Sequence, residues 1–266
     1  MSETTERPRV AVVTGASSGI GEATARLLAG GGWRCVLVAR REAELERLAS
    51  ELGGRAEVEI CDVADREAVA ATTGRILERH PAIDLLVNSA GILVRGSFVD
   101  APPDEIERAL VVNYLGCVWV TRGLLDGLRE AARTSGRSHI ATIASTAGTI
   151  VFTPAAPYSA SKFAQVAFSR SLRASLRGTG VEVHTIMPGF VTTPGFPHPK
   201  ILATPLGRPF VIGPERVAKK VLSAVERGKS ELIVPWFPYG LGAMAQAVLP
   251  RTTARVLKQF DYADDA

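Results

Sequence analysis

Short apolar segments rich in β-branched residues alternate with longer segments of helical periodicity, and this alternation constrains the fold more than any other feature. Seven apolar segments are predicted to be strands, at residues 10–13, 35–38, 58–61, 83–87, 139–143, 181–186 and 231–235. Such strands are apolar on both faces, as a parallel sheet requires when helices cover both of its sides. The sequence therefore predicts a seven-stranded parallel sheet within an α/β fold.

The segments between the predicted strands have the apolar spacing of helices. Helices are predicted around residues 20–28, 45–52, 69–77, 104–132, 158–177 and 214–227. No internal repeat or linker divides the chain, so we expect one doubly wound, Rossmann-like domain over residues 1–266, with helices on both faces of the sheet. Within it, the proline-rich residues 189–213 are predicted to form a substrate loop or lid, and residues 236–262 a C-terminal helical extension.

Composition and charge exclude several classes of protein. The chain has 31 basic and 27 acidic residues, which gives a net charge of +4, and the two signs are interspersed. Without a basic tract, nucleic-acid binding is not expected. The 3 cysteines and 4 histidines are scattered without metal-ligand spacing, so no metal site is predicted. The polar residues 1–9 do not resemble a signal peptide, and we expect a cytoplasmic protein.

A glycine-rich segment, TGASSGIG, follows the first predicted strand and opens the first predicted helix at residues 14–21. Glycines let the backbone turn sharply and approach a pyrophosphate closely, and a helix N-terminus attracts phosphate. A loop with three glycines can also be a simple turn. Its place within the first strand–helix–strand unit favours a dinucleotide-binding loop.

Further polar residues follow this loop in a fixed order. NSAG at residues 88–91 follows the fourth predicted strand, Asn113 lies in the long helical segment, and Ser145 follows the fifth strand. Tyr158 and Lys162 are four residues apart, which places them on one face of a predicted helix. Such a pair is common on helix surfaces, so the interpretation depends on the order of the whole set.

Together, these motifs resemble those of the short-chain dehydrogenase/reductase family over about residues 10–235. NSAG differs from that family's NNAG motif at Ser89, and PGFVTT at residues 188–193 is similar to its PGxVxT stretch. The resemblance implies an enzyme whose catalytic residues are Asn113, Ser145, Tyr158 and Lys162. It also implies a cofactor site formed by Gly15, Ser17, Ser18, Gly19, Ile20, Gly21, Asp62, Val63, Asn88, Ala90, Gly91, Tyr158, Lys162, Pro188, Gly189, Val191 and Thr193.

The roles that the resemblance implies fit the chemistry of carbonyl reduction. Hydride addition leaves an alkoxide, which needs a proton and hydrogen-bond donors. Tyr158 is expected to transfer the proton and Ser145 to orient the carbonyl. Lys162 and the positive charge of the oxidised nicotinamide are expected to lower the pKa of Tyr158. Lys162 is also expected to bind the nicotinamide ribose, while the backbone of Asn113 holds a water that relays protons. Thr193 is expected to bind the nicotinamide carboxamide, with a simple turn hydroxyl as the alternative.

The end of the second predicted strand decides between the two nicotinamide cofactors. A carboxylate there would bind the ribose 2′-hydroxyl of NAD, whereas arginine favours the 2′-phosphate of NADP. The chain has Arg40 and Arg41 with no carboxylate before Glu42, so NADP(H) is preferred. Ser17 is a further candidate phosphate contact, and the resemblance implies that Asp62 accepts from the adenine amino group. NAD(H) stays an alternative, since both arginines could simply be solvated.

The substrate side is predicted to be apolar. Residues 150–152 and 155–156 follow Ser145 and carry no charge. Apolar walls suit a small hydrophobic ketone or alcohol, such as a 3-oxoacyl group, a steroid or a retinoid-like alcohol, better than a sugar.

The segment at residues 232–249 contains no charged residue. Prolines and a glycine interrupt it, so a helix that packs over the pocket or against a second subunit is favoured over a membrane span, and a peripheral membrane anchor stays open. The resembled family implies a homodimer or homotetramer formed through the helices that contain Asn113 and Tyr158. Two non-enzymatic alternatives are an NADP(H)-binding regulator and a membrane-surface scaffold, which typically lose the Tyr or Lys that this chain retains.

Overall fold

The chain builds one main parallel sheet, seen in a computed structural model that describes residues 7–152, 154–194 and 210–258. The strands are β1 (Val10–Thr14), β2 (Arg34–Ala39), β3 (Ala56–Ile60), β4 (Leu85–Asn88), β5 (Ser138–Ile143), β6 (Val181–Pro188), β7 (Phe190–Val191), β8 (Val211–Ile212) and β9 (Glu231–Val234). The main sheet has the order β3-β2-β1-β4-β5-β6-β9, and all neighbouring strands in it are parallel. The prediction of a seven-stranded parallel sheet is confirmed.

Helices cover both faces of the sheet. They are α1 (Gly19–Gly30), α2 (Glu42–Leu52), α3 (Arg66–Arg79), α4 (Pro103–Leu110), α5 (Gly116–Ser135), α6 (Ala156–Ser175), α7 (Pro214–Arg227), α8 (Tyr239–Val248) and α9 (Pro250–Lys258). Apolar residues of α1, α2 and α7 pack on one face, and those of α3, α5 and α6 pack on the other.

The alternation of side chains along β1 explains why the sheet has two buried faces. Ala11 and Val13 belong to the core on the α1 side, whereas Val10 and Val12 belong to the core on the α5 side. Successive side chains of a strand point to opposite faces, so a strand that is apolar throughout needs helices on both sides. β1 also lies where the strand order reverses, between β2 and β4, and open α/β sheets bind ligands at that crevice.

The helical region predicted over about residues 104–132 is present and runs through α4, a π-helical turn and α5 without a break. A π-helical turn at Val111–Leu115 separates α4 from α5. A π turn adds a residue to one turn of a helix, so the apolar spacing on either side stays helical and the turn leaves no signal in the pattern. Several strand bounds also differ by one or two residues; β3, for example, begins at Ala56 rather than at residue 58.

Much of the predicted lid lies outside the described residues. Of residues 189–213, positions 195–209 fall there, while the two ends pair in parallel as β7 and β8. Helices α8 and α9 lie within the predicted C-terminal extension. In the described ranges, no helix has both the length and the apolar character that crossing a membrane requires.

Two of the histidines that are scattered in the sequence lie together in the fold. β5 and β6 are neighbours, and their register pairs His139 with Glu182 and Ala141 with His184. As a result, His139, Glu182 and His184 form a cluster whose ligand atoms all lie within 4.8 Å of one another. These residues are distant in the sequence and close in space, and the absence of a metal site stays a prediction.

Candidate active site

A cavity of about 1150 Å³ opens at the carboxyl edge of the sheet. The loops that follow β1, β2, β3, β4, β5 and β6 all contribute residues to its walls. Parallel strands direct these loops to one edge, so motifs that are far apart in the sequence meet in one place.

The glycine-rich loop after β1 packs tightly against the loop after β4. The Thr14 hydroxyl accepts hydrogen bonds from the amides of Ser89 and Ala90, each at 3.1 Å. Gly15 has φ of +66°, and a Cβ there would lie 2.8 Å from the backbone of Ala90. Only glycine fits this position, and the loop leads directly into the N-terminus of α1 at Gly19.

Arg40 and Arg41 make different contacts. Arg41 donates to the Ser17 hydroxyl at 2.9 Å and to the Ser18 hydroxyl at 2.6 Å, so its guanidinium lies against the glycine-rich loop. Arg40 extends instead toward Asp62, with 3.4 Å between Nη1 and Oδ2, and its side chain is 57% exposed. Of the two arginines, Arg41 is therefore the one that contacts the glycine-rich loop.

Asp62 and Asn88 anchor the two neighbouring loops. The second carboxylate oxygen of Asp62 accepts from the Ala64 amide at 3.0 Å. Asn88 donates to the Thr121 hydroxyl at 2.9 Å, and its buried Oδ1 has no hydrogen-bond partner among the described residues. This oxygen lies behind the cavity wall and can still accept a hydrogen bond.

Tyr158 and Ser145 lie side by side on the cavity. Ser145 ends the segment after β5, where its hydroxyl accepts from the Ala147 amide at 3.1 Å. Burial raises the pKa of Tyr158, and a side-chain hydrogen bond with Ser145 partly opposes that shift. In the chain by itself burial outweighs the other influences on this pKa, and its lowering by Lys162 and the oxidised cofactor stays a prediction.

Lys162 is almost completely buried, at 5% exposure. Its Nζ donates to the Ile143 carbonyl at 3.1 Å and to the Gln165 side-chain oxygen at 2.7 Å. Both acceptors are neutral, and burial lowers the pKa of Lys162 to about 8. The Nζ atom also lies 5.6 Å from the centre of the Tyr158 ring.

Asn113 lies inside the π turn and does not line the cavity. Its side-chain amide donates to the Ile92 carbonyl at 3.0 Å and to the Ser161 hydroxyl at 2.9 Å, and its oxygen accepts from the Ile92 amide at 2.7 Å. Ser161 in turn donates to the Tyr158 carbonyl at 2.7 Å. The side chain of Asn113 thus ties the loop after β4 to the helix that carries Tyr158 and Lys162.

Aromatic rings stand on the side of the cavity beyond Ser145. Phe152 and Phe190 both line it, with ring centres 6.2 Å apart. Tyr239, the first residue of α8, donates to the Phe210 carbonyl at 3.0 Å and accepts from the Phe190 amide at 3.3 Å. A side chain at Gly189 would overlap the Tyr239 ring, so α8 packs directly on the loop after β6.

Most of the residues predicted from the sequence line the cavity. Three do not: Gly21, Asn88 and Asn113 lie behind its walls. The sequence interpretation missed Gln165, Ser161 and Tyr239. Gln165 follows Lys162 by three residues on α6, a spacing that places both on one helix face and could have revealed it.

Comparison with known proteins identifies relatives over most of the chain. The family pattern described as short chain dehydrogenase matches residues 9–198. A dehydrogenase/reductase SDR family protein 7-like from Anopheles gambiae is 34% identical over an alignment of 261 residues. The match covers 90% of this chain and 80% of that protein.

Two solved structures are similar in fold. The first, a variant of actinorhodin polyketide ketoreductase with NADPH, is 31% identical with a TM-score of 0.76, covering 86% of this chain and 97% of that chain. The second, a short-chain dehydrogenase from Streptomyces avermitilis, is 26% identical with a TM-score of 0.80, covering 97% of this chain and 99% of that chain.

Proposed function

The chain belongs to the short-chain dehydrogenase family and is a dehydrogenase/reductase enzyme, and we propose that it reduces the carbonyl group of a hydrophobic substrate with NADP(H). The observation that carries this proposal is that Tyr158, Ser145 and Lys162 line the same cavity as the glycine-rich loop and Arg41. A proton donor, a hydroxyl and a buried cation are the groups that hydride transfer to a carbonyl requires.

Tyr158 is the proposed proton donor, and Ser145 holds the substrate oxygen. A tyrosine whose pKa is raised stays protonated at neutral pH, which is the state needed to protonate a developing alkoxide. Ser145 and Tyr158 line the same cavity, and one substrate oxygen is proposed to contact both hydroxyls.

Lys162 supplies positive charge near Tyr158, with Nζ 5.6 Å from the centre of the ring. With a pKa of about 8 it is mostly protonated at pH 7, and its two neutral acceptors hold it in place without cancelling the charge. A cation in a buried site stabilises negative charge more strongly than it does in water. As Tyr158 gives up its proton, Lys162 stabilises the phenolate that forms.

The described residues fit a nicotinamide dinucleotide. Gly15 closes on the loop after β4 and leaves no room for a side chain, and the N-terminus of α1 faces the cavity through Ser18 and Gly19. A pyrophosphate suits such a helix N-terminus. When bound, the dinucleotide supplies the hydride. Asp62 and Val63 are proposed to hold its adenine, and Pro188, Gly189, Val191 and Thr193 its nicotinamide end.

The preference for NADP(H) rests on Arg41. Its guanidinium, tied to Ser17 and Ser18, lies where two arginine donors and a serine hydroxyl could share one phosphate. Arg40 adds a second positive charge nearby. The solved ketoreductase that the chain resembles is described with NADPH, which agrees with this proposal.

Apolar and aromatic walls favour a hydrophobic substrate. Phe152, Phe190 and Ala155 line the cavity on the side of Ser145, and Tyr239 stands behind Phe190. Such walls suit a ketone or a 3-oxoacyl group better than a sugar, which would leave its hydroxyls unpaired.

We also propose a homo-oligomer formed through α5 and α6. Phe163, on α6, is 38% exposed although it is a large apolar residue, and Trp119, on α5, is only partly buried. Light scattering coupled to size-exclusion chromatography tests this, and a monomer at micromolar concentration contradicts it.

The proposed function is tested by following NADPH oxidation at 340 nm with a panel of carbonyl compounds of graded hydrophobicity. We expect turnover to rise from small polar aldoses to aromatic and long-chain ketones, and NADPH to be used more efficiently than NADH. Equal use of both cofactors would refute the NADP preference, and a preference for polar sugars would refute the substrate class.

A further inference from the structure

His139, Glu182 and His184 meet at the amino-terminal edge of the sheet, away from the cavity. His139 is the second residue of β5, whereas Ser145 lies six residues further along, and at 3.3 Å per strand residue this is about 20 Å. Both histidines are buried, while the Glu182 side chain is 41% exposed. The proposed hydride-transfer site has no use for this cluster.

The three ligand atoms form a nearly regular triangle. His139 Nδ1 lies 3.1 Å from His184 Nε2 and 3.5 Å from Glu182 Oε2, and His184 Nε2 lies 3.8 Å from the same oxygen. With Zn–N and Zn–O distances of about 2.0–2.2 Å, tetrahedral ligands are about 3.3–3.6 Å apart. The observed separations are close to those of three corners of such a tetrahedron.

Hydrogen bonding around the cluster prepares the ligand atoms. His184 Nδ1 lies 2.8 Å from the Lys229 carbonyl, which can only accept, so Nδ1 carries the proton and the Nε2 lone pair points into the cluster. A metal-binding histidine commonly donates the N–H of its other ring nitrogen to a backbone carbonyl, which fixes the tautomer and the orientation of the ring.

A hydrogen bond between the two histidines alone does not explain the whole cluster, because it does not account for Glu182. A hydrogen bond from His139 to His184 would account for their 3.1 Å separation. It would leave Glu182 Oε2 buried with no hydrogen-bond donor among the described residues. A buried carboxylate oxygen without a partner is costly, and a cation removes that cost.

We propose that His139, Glu182 and His184 bind one divalent transition-metal cation of the Zn²⁺ type and thereby cross-link β5 to β6. Two imidazoles and one carboxylate suit Zn²⁺, whereas Mg²⁺ and Ca²⁺ prefer oxygen ligands. The metal is structural, and hydride transfer takes place at the other edge of the sheet.

The test uses the full chain without a histidine tag, freed of metal by a chelator. ZnCl₂ is titrated by calorimetry, and Co²⁺ is added separately to record its visible spectrum. We expect one Zn²⁺ per chain and a d–d spectrum without the thiolate-to-cobalt charge-transfer band that cysteine ligands give. Zn²⁺ should raise the midpoint of thermal unfolding by about 5 °C at about one hundred times its dissociation constant.

Glu182→Gln keeps the shape of the side chain and removes the charged ligand. Because this side chain is partly exposed, the variant should fold, and the thermal midpoint of the metal-free protein checks that it does. We expect Zn²⁺ affinity to fall at least about 10-fold and the thermal shift to disappear, with carbonyl reduction unchanged.

Glu57→Gln is the matched control, since Glu57 also contacts a histidine, His80 at 2.9 Å, but belongs to no cluster of three ligands among the described residues. It should bind Zn²⁺ as the wild type does. Wild-type protein that binds no Zn²⁺, or a Glu182→Gln variant that binds it with unchanged affinity, overturns the proposal.

Discussion

Lys162 is a buried cation that the fold keeps at a measurable cost in stability. Its pKa falls from 10.5 to about 8 because burial disfavours the charged form. At 1.36 kcal/mol per pKa unit, this displacement corresponds to about 3 kcal/mol. Below pH 8 the lysine is charged in both the folded and the unfolded chain, so the folded state carries the whole cost there.

The sign of the pH dependence follows from proton binding. Between pH 8 and 10.5 the unfolded chain still holds the proton that the folded chain has released, so raising the pH stabilises the folded state. In Lys162→Met this contribution is absent. We therefore expect the wild type to gain about 3 kcal/mol in unfolding free energy relative to Lys162→Met as the pH rises from 7 to 10.5.

Urea denaturation of both proteins in the absence of cofactor, at several pH values across this range, measures the difference. The methionine also leaves the Ile143 carbonyl and the Gln165 side-chain oxygen without their donor. That loss is independent of pH, so it lowers the unfolding free energy of Lys162→Met by the same amount at every pH. Lys220→Met, at an exposed position on α7, is the control and should run parallel to the wild type. Parallel wild-type and Lys162→Met curves would refute the reasoning.

Three further predictions concern the walls of the cavity. Arg41→Ala should raise the KM for NADPH about 10-fold and leave the KM for NADH unchanged, because it removes a charge-assisted contact with the 2′-phosphate. The Arg41 side chain is half-exposed, so the contact is weak for a charge-assisted hydrogen bond. Arg40→Ala should raise the KM for NADPH less, and a larger effect of Arg40→Ala would contradict the assignment of Arg41 to the phosphate. Ser145→Ala should lower kcat about 100-fold with unchanged cofactor binding, since it removes one hydrogen-bond donor to the developing oxyanion. If the dissociation constant of NADPH changed equally, the loss would come from a distorted site, which would contradict a role for Ser145 in the reaction. Gly15→Ala should abolish cofactor binding measured by fluorescence and lower the free energy of unfolding by about 1–3 kcal/mol, because its Cβ would meet the loop after β4 at a positive φ. The control is Gly74→Ala, at a helical position with open space around it, which should leave the free energy of unfolding unchanged or raise it.

The sequence was sufficient for the sheet and for the edge where the cavity opens. An apolar strand such as β1 needs cover on both faces, and parallel strands bring their following loops to one edge. These two rules place Gly15, Ser145 and Tyr158 near one another without any coordinates. Boundaries were less certain, because one residue more or less at the end of a strand hardly changes its apolar pattern.

Features that depend on the register between strands or on side-chain direction could not be predicted. The pairing of β5 with β6 brings His139 to His184, although 45 positions separate them. The π turn around Asn113 keeps the helical pattern on both sides and is invisible in it. Whether Arg40 or Arg41 turns toward the glycine-rich loop is decided by their side-chain contacts with Asp62 and with the loop serines.

Tyr158→Phe tests the central claim most directly, because it removes one hydroxyl from the cavity and leaves the ring in place. The measurement is the single-turnover rate of NADPH oxidation with the best carbonyl substrate, together with the dissociation constant of NADPH from fluorescence titration. If Tyr158 is the proton donor, the rate falls by about 10³-fold or more while the dissociation constant changes less than about twofold. A variant that keeps a substantial rate would contradict the assignment of Tyr158 as the proton donor.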